Sequence, residues 1–350
     1  MTINDLLLEA GQRRASDLHI TVGISPKCRV NGELVDMGYG RLTAEDTQGL
    51  VMPMVPAWQK DRLISNGEAD FAYSIAGVGR YRVNIFKQRG SYASVIRLIN
   101  TMIPSPQSLG LPTTVIDLTK KKRGLVLVTG PTGSGKSTTL ASLIDIINEY
   151  SNRHIVTLED PIEYIHNHKK SIINQREIGI DTHSFASALR VVLREDPDVI
   201  LVGEMRDLET IEIAITAAET GHLVLSTLHT IGASSTIDRM IDVFPPHQQQ
   251  QIRVQLSAVL EAVISQQLIP TKDGSGRVAA FEIMHATPAI RNLIREGKSH
   301  QLNSFIQTNK NLGMQTMDDA IYNLYFSGKI NAEQAIAFAQ DVTSIERKLY

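Results

Sequence analysis

Apolar and polar positions change rhythm along the chain, and the changes outline its organisation. Residues 3–15 place Leu6, Leu7, Leu8 and Ala10 in a helical pattern and predict a short helix. Turn-rich alternating segments follow at Asp17–Val22, Lys27–Val30 and Glu33–Asp36, separated by Gly23 and Gly32. A helix is predicted from Ala44 to Ile64, interrupted near Pro53 and Pro56. Ala69–Ile75, Gly79–Lys87 and Tyr92–Ile99 then read as consecutive strands of an antiparallel sheet. Residues 1–100 therefore read as a small α+β domain.

Pro104, Pro106, Gly110 and Pro112 cannot sit within one helix or central strand, and they mark a linker at 101–112. Beyond it the rhythm becomes strand, loop, helix. Leu125–Thr129 is a buried strand, followed by a glycine loop and a helix beginning near Lys136. His154–Leu158 is a second strand, ending in Glu159, Asp160 and Pro161. Phe185–Arg194 and Asp207–Glu219 read as helices, and Val199–Val202 and His222–Leu228 as strands. Helical patterns continue through Ala233–Ile241 and Gln248–Gln267. This rhythm predicts an α/β domain over 113–350 with a mainly parallel sheet. Its last part, about 286–350, reads as short amphipathic helices whose stripe of Met317, Ile321, Leu324 and Tyr325 packs on the core.

Composition narrows the function classes. Of the 350 residues, 42% are apolar and 21% charged, which is the profile of a folded protein rather than a disordered one. A net charge of -2 gives no global attraction to phosphate backbones and argues against a nucleic-acid partner. No apolar run approaches the roughly 18 to 20 residues that span a bilayer. Asp5 precedes the first apolar patch and Arg13 and Arg14 follow it, the wrong order for a secretory signal. The expected placement is the cytoplasm, with any work at a membrane done through a partner. Cys28 stands alone, so intrachain disulfides and CxxC zinc modules are excluded.

The strongest chemical signal is Gly130-Pro131-Thr132-Gly133-Ser134-Gly135-Lys136-Ser137, followed by Thr138 and set between a strand and a helix. It satisfies the GxxxxGK[ST] phosphate-loop pattern. The glycines let successive amides converge on phosphate oxygens, and the helix N-terminus favours the same anion. Lys136 is expected to reach the β- and γ-phosphates of ATP, and Ser137 to supply a hydroxyl to Mg²⁺. Hydrolysis also needs an oriented water, and two strand ends supply carboxylates: Glu159, Asp160 and Glu163 after one, Glu204 after the other. Glu163 is assigned to water activation and Glu204 to the Mg²⁺ environment. Gly203 stands where the usual Walker B strand ends in aspartate, so Glu204 is expected to act through coordinated water. His222 and His229 bracket the strand LVLSTL. They lack a compact zinc ligand set; His229 reads either as structural or as a sensor of the γ-phosphate. Arg80, Arg82, Arg89 and Arg97 precede the linker, and Arg80 and Arg82 share a strand face. That face either aids solubility or reaches a nucleotide.

GPTGSGKST at 130–138, TLEDPIEYIH at 157–166, LREDPDVILVGEMRD at 193–207 and TAAETGHLVLSTLHT at 216–230 resemble the Walker A, Asp, Walker B and His boxes of the secretion ATPases. That family powers type II and type IV secretion and type IV pili. The match extends to GRYRVNIFKQRG at 79–90. AIRNLIREGKSHQL at 289–302 and GMQTMDDAI at 313–321 resemble its pilus-retraction branch, and a start directly at the small domain with one cysteine agrees.

The resemblance implies a PAS-like N-terminal domain and a RecA-like ATPase domain in a homohexameric ring. It implies Glu163 as the catalytic glutamate, Glu204 as the Walker B glutamate and His229 as the nucleotide sensor. Arg82 and Arg97 become contributors to nucleotide contacts, and Arg194 and Arg239 lie in similarly characteristic segments. The implied partner is a platform protein at the inner-membrane pilus base, with the motor peripheral to the membrane. An assembly or type II secretion motor is the nearest rival. A RecA-like nucleic-acid translocase is a rival of another class, and so is a regulator with little turnover, against which Glu163 and Glu204 argue.

Overall fold

Two sheets organise the chain. The computed structural model describes every residue from 1 to 350 except Asn31, Ala76, Gly77, Asn100, Thr101, Ser275 and Tyr350. Asn100, the expected end of the first domain, Thr101, the expected start of the linker, and Tyr350 thus lie outside the described residues. The chain divides into one unit made of Met1–Met102 with Ile162–Ile165 and a second made of Ile103–Pro161 with His166–Tyr350.

In the first unit, β1 (Asp17–Ile20), β2 (Lys27–Val30), β3 (Glu33–Asp36), β4 (Glu68–Ile75), β5 (Gly79–Gln88) and β6 (Ser91–Leu98) form one sheet. Their order is β3-β2-β1-β6-β5-β4 and every pairing is antiparallel. Alternation decides which face is covered: Tyr81, Val83 and Ile85 of β5 are buried while Asn84 between them is exposed. The buried face packs with helices Ile3–Gln12 and Ala44–Val51 through Leu6, Leu7, Leu50 and Val51. Both helices start at a threonine, Thr2 and Thr43, whose hydroxyl and a following aspartate satisfy each other's amides. Cys28 is fully buried in this core.

The second unit holds β7 (Gly124–Thr129), β8 (His154–Glu159), β9 (Ile172–Glu177), β10 (Val199–Val202), β11 (Leu223–Leu228), β12 (Leu260–Pro270) and β13 (Arg277–His285). Their order is β13-β12-β7-β11-β10-β8-β9, parallel throughout except for β12 with β13. The central strands are buried on both faces. Leu125 and Leu127 of β7 enter one core with helices Leu208–Glu219 and Ala233–Asp242, while Val126 and Val128 enter another with helix Lys136–Tyr150. The expected α/β class, with its smaller α+β unit, is what forms. After β13 come helices Pro288–Arg295, Leu302–Thr308, Met317–Phe326, Ala332–Phe338 and Val342–Leu349. Met317 and Ile321 are buried there against Ile269 and Ala280 of the sheet, and Leu324 and Tyr325 pack at the margin.

One expectation fails. The helix predicted through Gln267 ends at Val259, and the chain continues at once as β12. Leu256, Leu260, Val263 and Ile264 keep a helical spacing, but β12 hydrogen-bonds to β7 on one side and β13 on the other. Tertiary pairing overrides the local period. The outer side of β13 carries one short bridge: Ile283 and Gln315 exchange backbone hydrogen bonds, and the Gln315 amide donates to Phe281 O at 2.8 Å. Among the described residues, no helix is long and apolar enough to cross a membrane.

Candidate functional site

The phosphate-loop sequence lies at the head of β7. Thr129 pairs with Leu228 of β11, and the loop then turns through Gly130, Gly133 and Gly135, all at positive φ, into helix Lys136–Tyr150. Gly130 is demanded by space as well as torsion. A Cβ there would stand 2.2 Å from Gln266 O and 2.8 Å from Ser134 Oγ. Lys136 is buried beneath the loop, and its Nζ donates to the carbonyls of Gly130 at 2.9 Å and Pro131 at 3.0 Å. Ser137 and Thr138, half-buried, follow it in the first turn, where the helix dipole favours an anion.

Parallel register brings the ends of β7, β11 and β10 to one edge of the sheet. Glu204 lies two residues past β10 and is buried; His229 immediately follows β11. Glu204 Oε2 is 3.2 Å from His229 Nε2, and Glu204 Oε1 forms an ion pair with Arg206 at 2.6 Å. Thus Glu204 and His229 are joined at the edge that carries the phosphate loop. Gly203 has a packing cause: a Cβ would lie 3.1 Å from Leu158 O and 3.4 Å from Glu159 Cα. Its amide donates to Leu158 O, and its carbonyl accepts from Thr227 Oγ1 at 2.6 Å. An aspartate in its place would have to push β8 aside. His222, at the other end of β11, accepts no such role; its Nδ1 sits 2.9 Å from Ala217 O at the end of helix Leu208–Glu219.

The segment after β8 divides its residues. Glu159 accepts from Thr157 Oγ1 at 2.6 Å and from the Gln175 amide at 3.1 Å. A cis peptide joins Asp160 to Pro161. Glu163 is exposed and belongs to the short stretch grouped with the first unit. His166 is buried, and desolvation pushes its imidazole down to about 4.

Arg82 and Arg97 lie on the less covered face of the first sheet, opposite one another on β5 and β6. Arg97 also opposes Asp17 of β1, giving one row across three strands. Arg82 grips Asp70 with two nitrogens, Nε at 3.2 Å and Nη2 at 2.7 Å, and Arg97 Nε donates to Asp17 at 3.1 Å. Each arginine therefore has a carboxylate partner within its own sheet. Arg194 and Arg239 are exposed.

Three further residues at the site escape motif reading. In β12 and β13, Ser265, Gln266 and Glu282 are buried polar side chains among buried apolar neighbours such as Val263, Ile264, Phe281 and Ile283. Gln266 hydrogen-bonds into the phosphate loop. Ser265 Oγ accepts from Gly232 N at 2.9 Å, just beyond His229. Glu282, opposite Ser265, accepts from Ala233 N at 2.6 Å and more weakly from Met317 N at 3.4 Å. Burial pushes the Glu282 carboxyl above the usual carboxylate range, while those two amides at helix starts draw it back. Polar groups stay buried only when partnered, and here the partners come from distant segments that no local pattern reveals.

The chain is similar to known proteins over most of its length. The profile of the type II/IV secretion system protein family matches residues 95–336. A type IV pilus retraction ATPase of Pseudomonas aeruginosa is 49% identical over 335 residues, covering 96% of this chain and 97% of that one. A twitching motility protein of Neisseria gonorrhoeae is 50% identical over 321 residues, covering 92% and 86%. A crystal structure of the pilus retraction motor PilT with bound ADP superposes with a TM-score of 0.93 at 50% identity, covering 99% of both chains. With the profile spanning well over half of its length, the chain belongs to the type II/IV secretion system protein family.

Proposed function

We propose that this protein hydrolyses ATP as a subunit of a homohexameric motor that retracts type IV pili and so drives twitching motility. The observation that carries the reading is the Gly130–Ser137 loop at the head of β7, with Lys136 beneath it and the Glu204–His229 pair at the same sheet edge. The nearly full-length likeness to pilus retraction ATPases supports the direction of work. Residues 1–100 form the PAS-like domain, 101–112 the linker and 113–350 the RecA-like ATPase domain.

ATP enters with its phosphates on the loop formed by Gly130, Pro131, Thr132, Gly133, Ser134, Gly135, Lys136, Ser137 and Thr138. Lys136 Nζ exchanges two neutral carbonyls for β- and γ-phosphate oxygens, a charge-assisted interaction and hence a stronger one. The oxygen donors fit Mg²⁺, with the Ser137 hydroxyl as ligand and Glu204 acting through water because both its oxygens already face Arg206 and His229. When bound, the ion neutralises charge developing on the phosphates. Glu163 orients and deprotonates the attacking water. His229 senses the γ-phosphate, and its bond to Glu204 ties that sensing to the end of β10. Arg82 and Arg97 contribute guanidinium contacts to nucleotide in the assembled ring, where exchange of an aspartate for phosphate keeps each cation paired. Loss of the γ-phosphate after hydrolysis removes contacts to Lys136 and His229, so ATP and ADP favour different arrangements of the motor. The motor is cytoplasmic and works at the membrane through the platform protein at the pilus base.

Steady-state phosphate release tests the enzyme. Lys136→Ala is expected to abolish turnover, and Glu163→Gln to keep ATP binding while slowing hydrolysis severely. Near-normal release from folded Lys136→Ala protein would remove the assignment. In cells, deletion is expected to leave long pili and no surface motility; loss of pili would instead identify an assembly motor.

A further inference from the structure

We infer that Gln266 is a positioning residue that sets the phosphate loop for its anion from the side opposite β11. The inference rests on the nucleotide-binding role proposed for Gly130–Ser137. Gln266 lies on β12, which flanks β7, and its side chain is buried. Its Nε2 donates to Ser134 O at 2.6 Å, inside the loop, and its Oε1 accepts from Thr139 Oγ1 at 2.7 Å, in the first turns of the following helix. Its backbone oxygen faces Gly130 so closely that no Cβ fits there. Its side-chain Nε2 would stand 2.9 Å from a Cβ on Gly135. One residue therefore touches the beginning, middle and end of the glycine loop.

The consequence follows from peptide geometry. In a planar trans peptide the carbonyl and the next amide point in opposite directions. Drawing Ser134 O towards β12 turns the Gly135 N–H away from β12. Gly135 N–H is one of the amides a bound phosphate requires, and it is directed before any ligand arrives. Thr139 fixes the same carboxamide from the helix side, so the loop and the helix N-terminus keep one relative orientation. Such preorganisation strengthens binding by removing the cost of arranging donors at the moment of contact. Ser265, the preceding residue, points to the other face of the sheet and holds Gly232, so adjacent side chains of β12 brace two separate loops.

The test uses the full chain with ADP titrated by calorimetry and ATP in steady-state phosphate release. Gln266→Met keeps the side-chain volume and removes both hydrogen bonds. ADP affinity is expected to fall about 10- to 100-fold, the range for leaving a buried polar partner unsatisfied. KM for ATP should rise correspondingly while kcat at saturation stays within about threefold, as for loss of uniform binding. A merely structural role predicts the reverse, fewer active molecules with KM unchanged, and that result overturns the inference. Should Gln266→Met fail to fold, Thr139→Val removes only the helix-side hydrogen bond and must weaken ADP in the same sense, to a smaller degree. An unchanged ADP affinity in Thr139→Val would then overturn the inference. Wild-type protein that binds no ADP would defeat the phosphate-loop reading itself, whereas wild-type binding matched within twofold by folded Gln266→Met defeats the role of Gln266 alone.

Discussion

The two sheets place their polar chemistry differently. In the seven-stranded sheet the central strands are buried on both faces, so the candidate site residues gather in the loops at one edge: Gly130–Ser137, Glu204 and His229. In the six-stranded sheet one face is left partly open, and the charged residues stand on the strands themselves, in the row Asp17, Arg97 and Arg82. Loops at a strand edge can be shaped around a ligand by neighbours such as Gln266. A sheet face holds its side chains at a fixed pitch, suited to presenting a flat array of charge. The difference teaches where substitution should do harm.

The largest expected effect lies in the edge loop. Gly130→Ala combines positive φ with the clash against Gln266 O, and should destabilise by more than about 3 kcal/mol while abolishing ADP binding. Gly90→Ala, in the β5–β6 hairpin of the other sheet, has open space around the new methyl. It should cost only the left-handed backbone, about 1 kcal/mol. Urea midpoints of the two variants measure the contrast directly; equal losses would remove it.

An intermediate effect is expected from acid. The His166 imidazole is held near 4 in the folded protein, below its ordinary value of 6.5. The unfolded chain therefore binds the proton more readily between these values, and stability falls as pH drops through that window. Between pH 7 and pH 5 the loss from this group is on the order of 2 kcal/mol. His166→Phe should flatten the pH dependence of the urea midpoint by about that amount; an unaltered slope would show that His166 is solvated.

The smallest stability effect belongs to the arginine row. Arg82→Ala and Arg97→Ala break ion pairs whose arginines are 43% and 69% exposed, and each should lower stability by less than about 1 kcal/mol. Phosphate release is nevertheless expected to fall in both variants while folding and assembly persist. A stability loss of several kcal/mol would place these arginines in the scaffold instead.

What the sequence disclosed follows the range of the interactions involved. The phosphate loop is local: glycine torsions, a lysine and a helix start sit within eight residues, so its pattern is readable without a fold. The antiparallel strands β4, β5 and β6 were likewise legible from alternation, and the structure joins β5 to β6 by a tight turn at Arg89 and Gly90, both with positive φ. Gln266 was not legible, because its partners Ser134 and Thr139 are more than a hundred residues away. β12 itself was read as helix, since the pairing that makes it a strand comes from β7 and β13 and leaves no local trace. Glu282 and Ser265 share this reason: only the register of β12 with β13 shows what they hold. The same limit applied to Arg82, whose partner Asp70 is reached across strands.

The contact between Gln315 and β13 has a consequence for the solubility of shortened chains. An uncovered edge strand offers a row of backbone donors and acceptors to any other extended chain, and proteins suppress such self-association by blunting the edge. Here Gln315 satisfies backbone groups of Phe281 and Ile283 in the middle of β13, and helix Met317–Phe326 follows directly. The C-terminal region is therefore a guard against sheet-to-sheet polymerisation as well as a part of the core. A chain ending before Gln315 would be a seed for aggregates, and its inactivity would report precipitation rather than the loss of a working part.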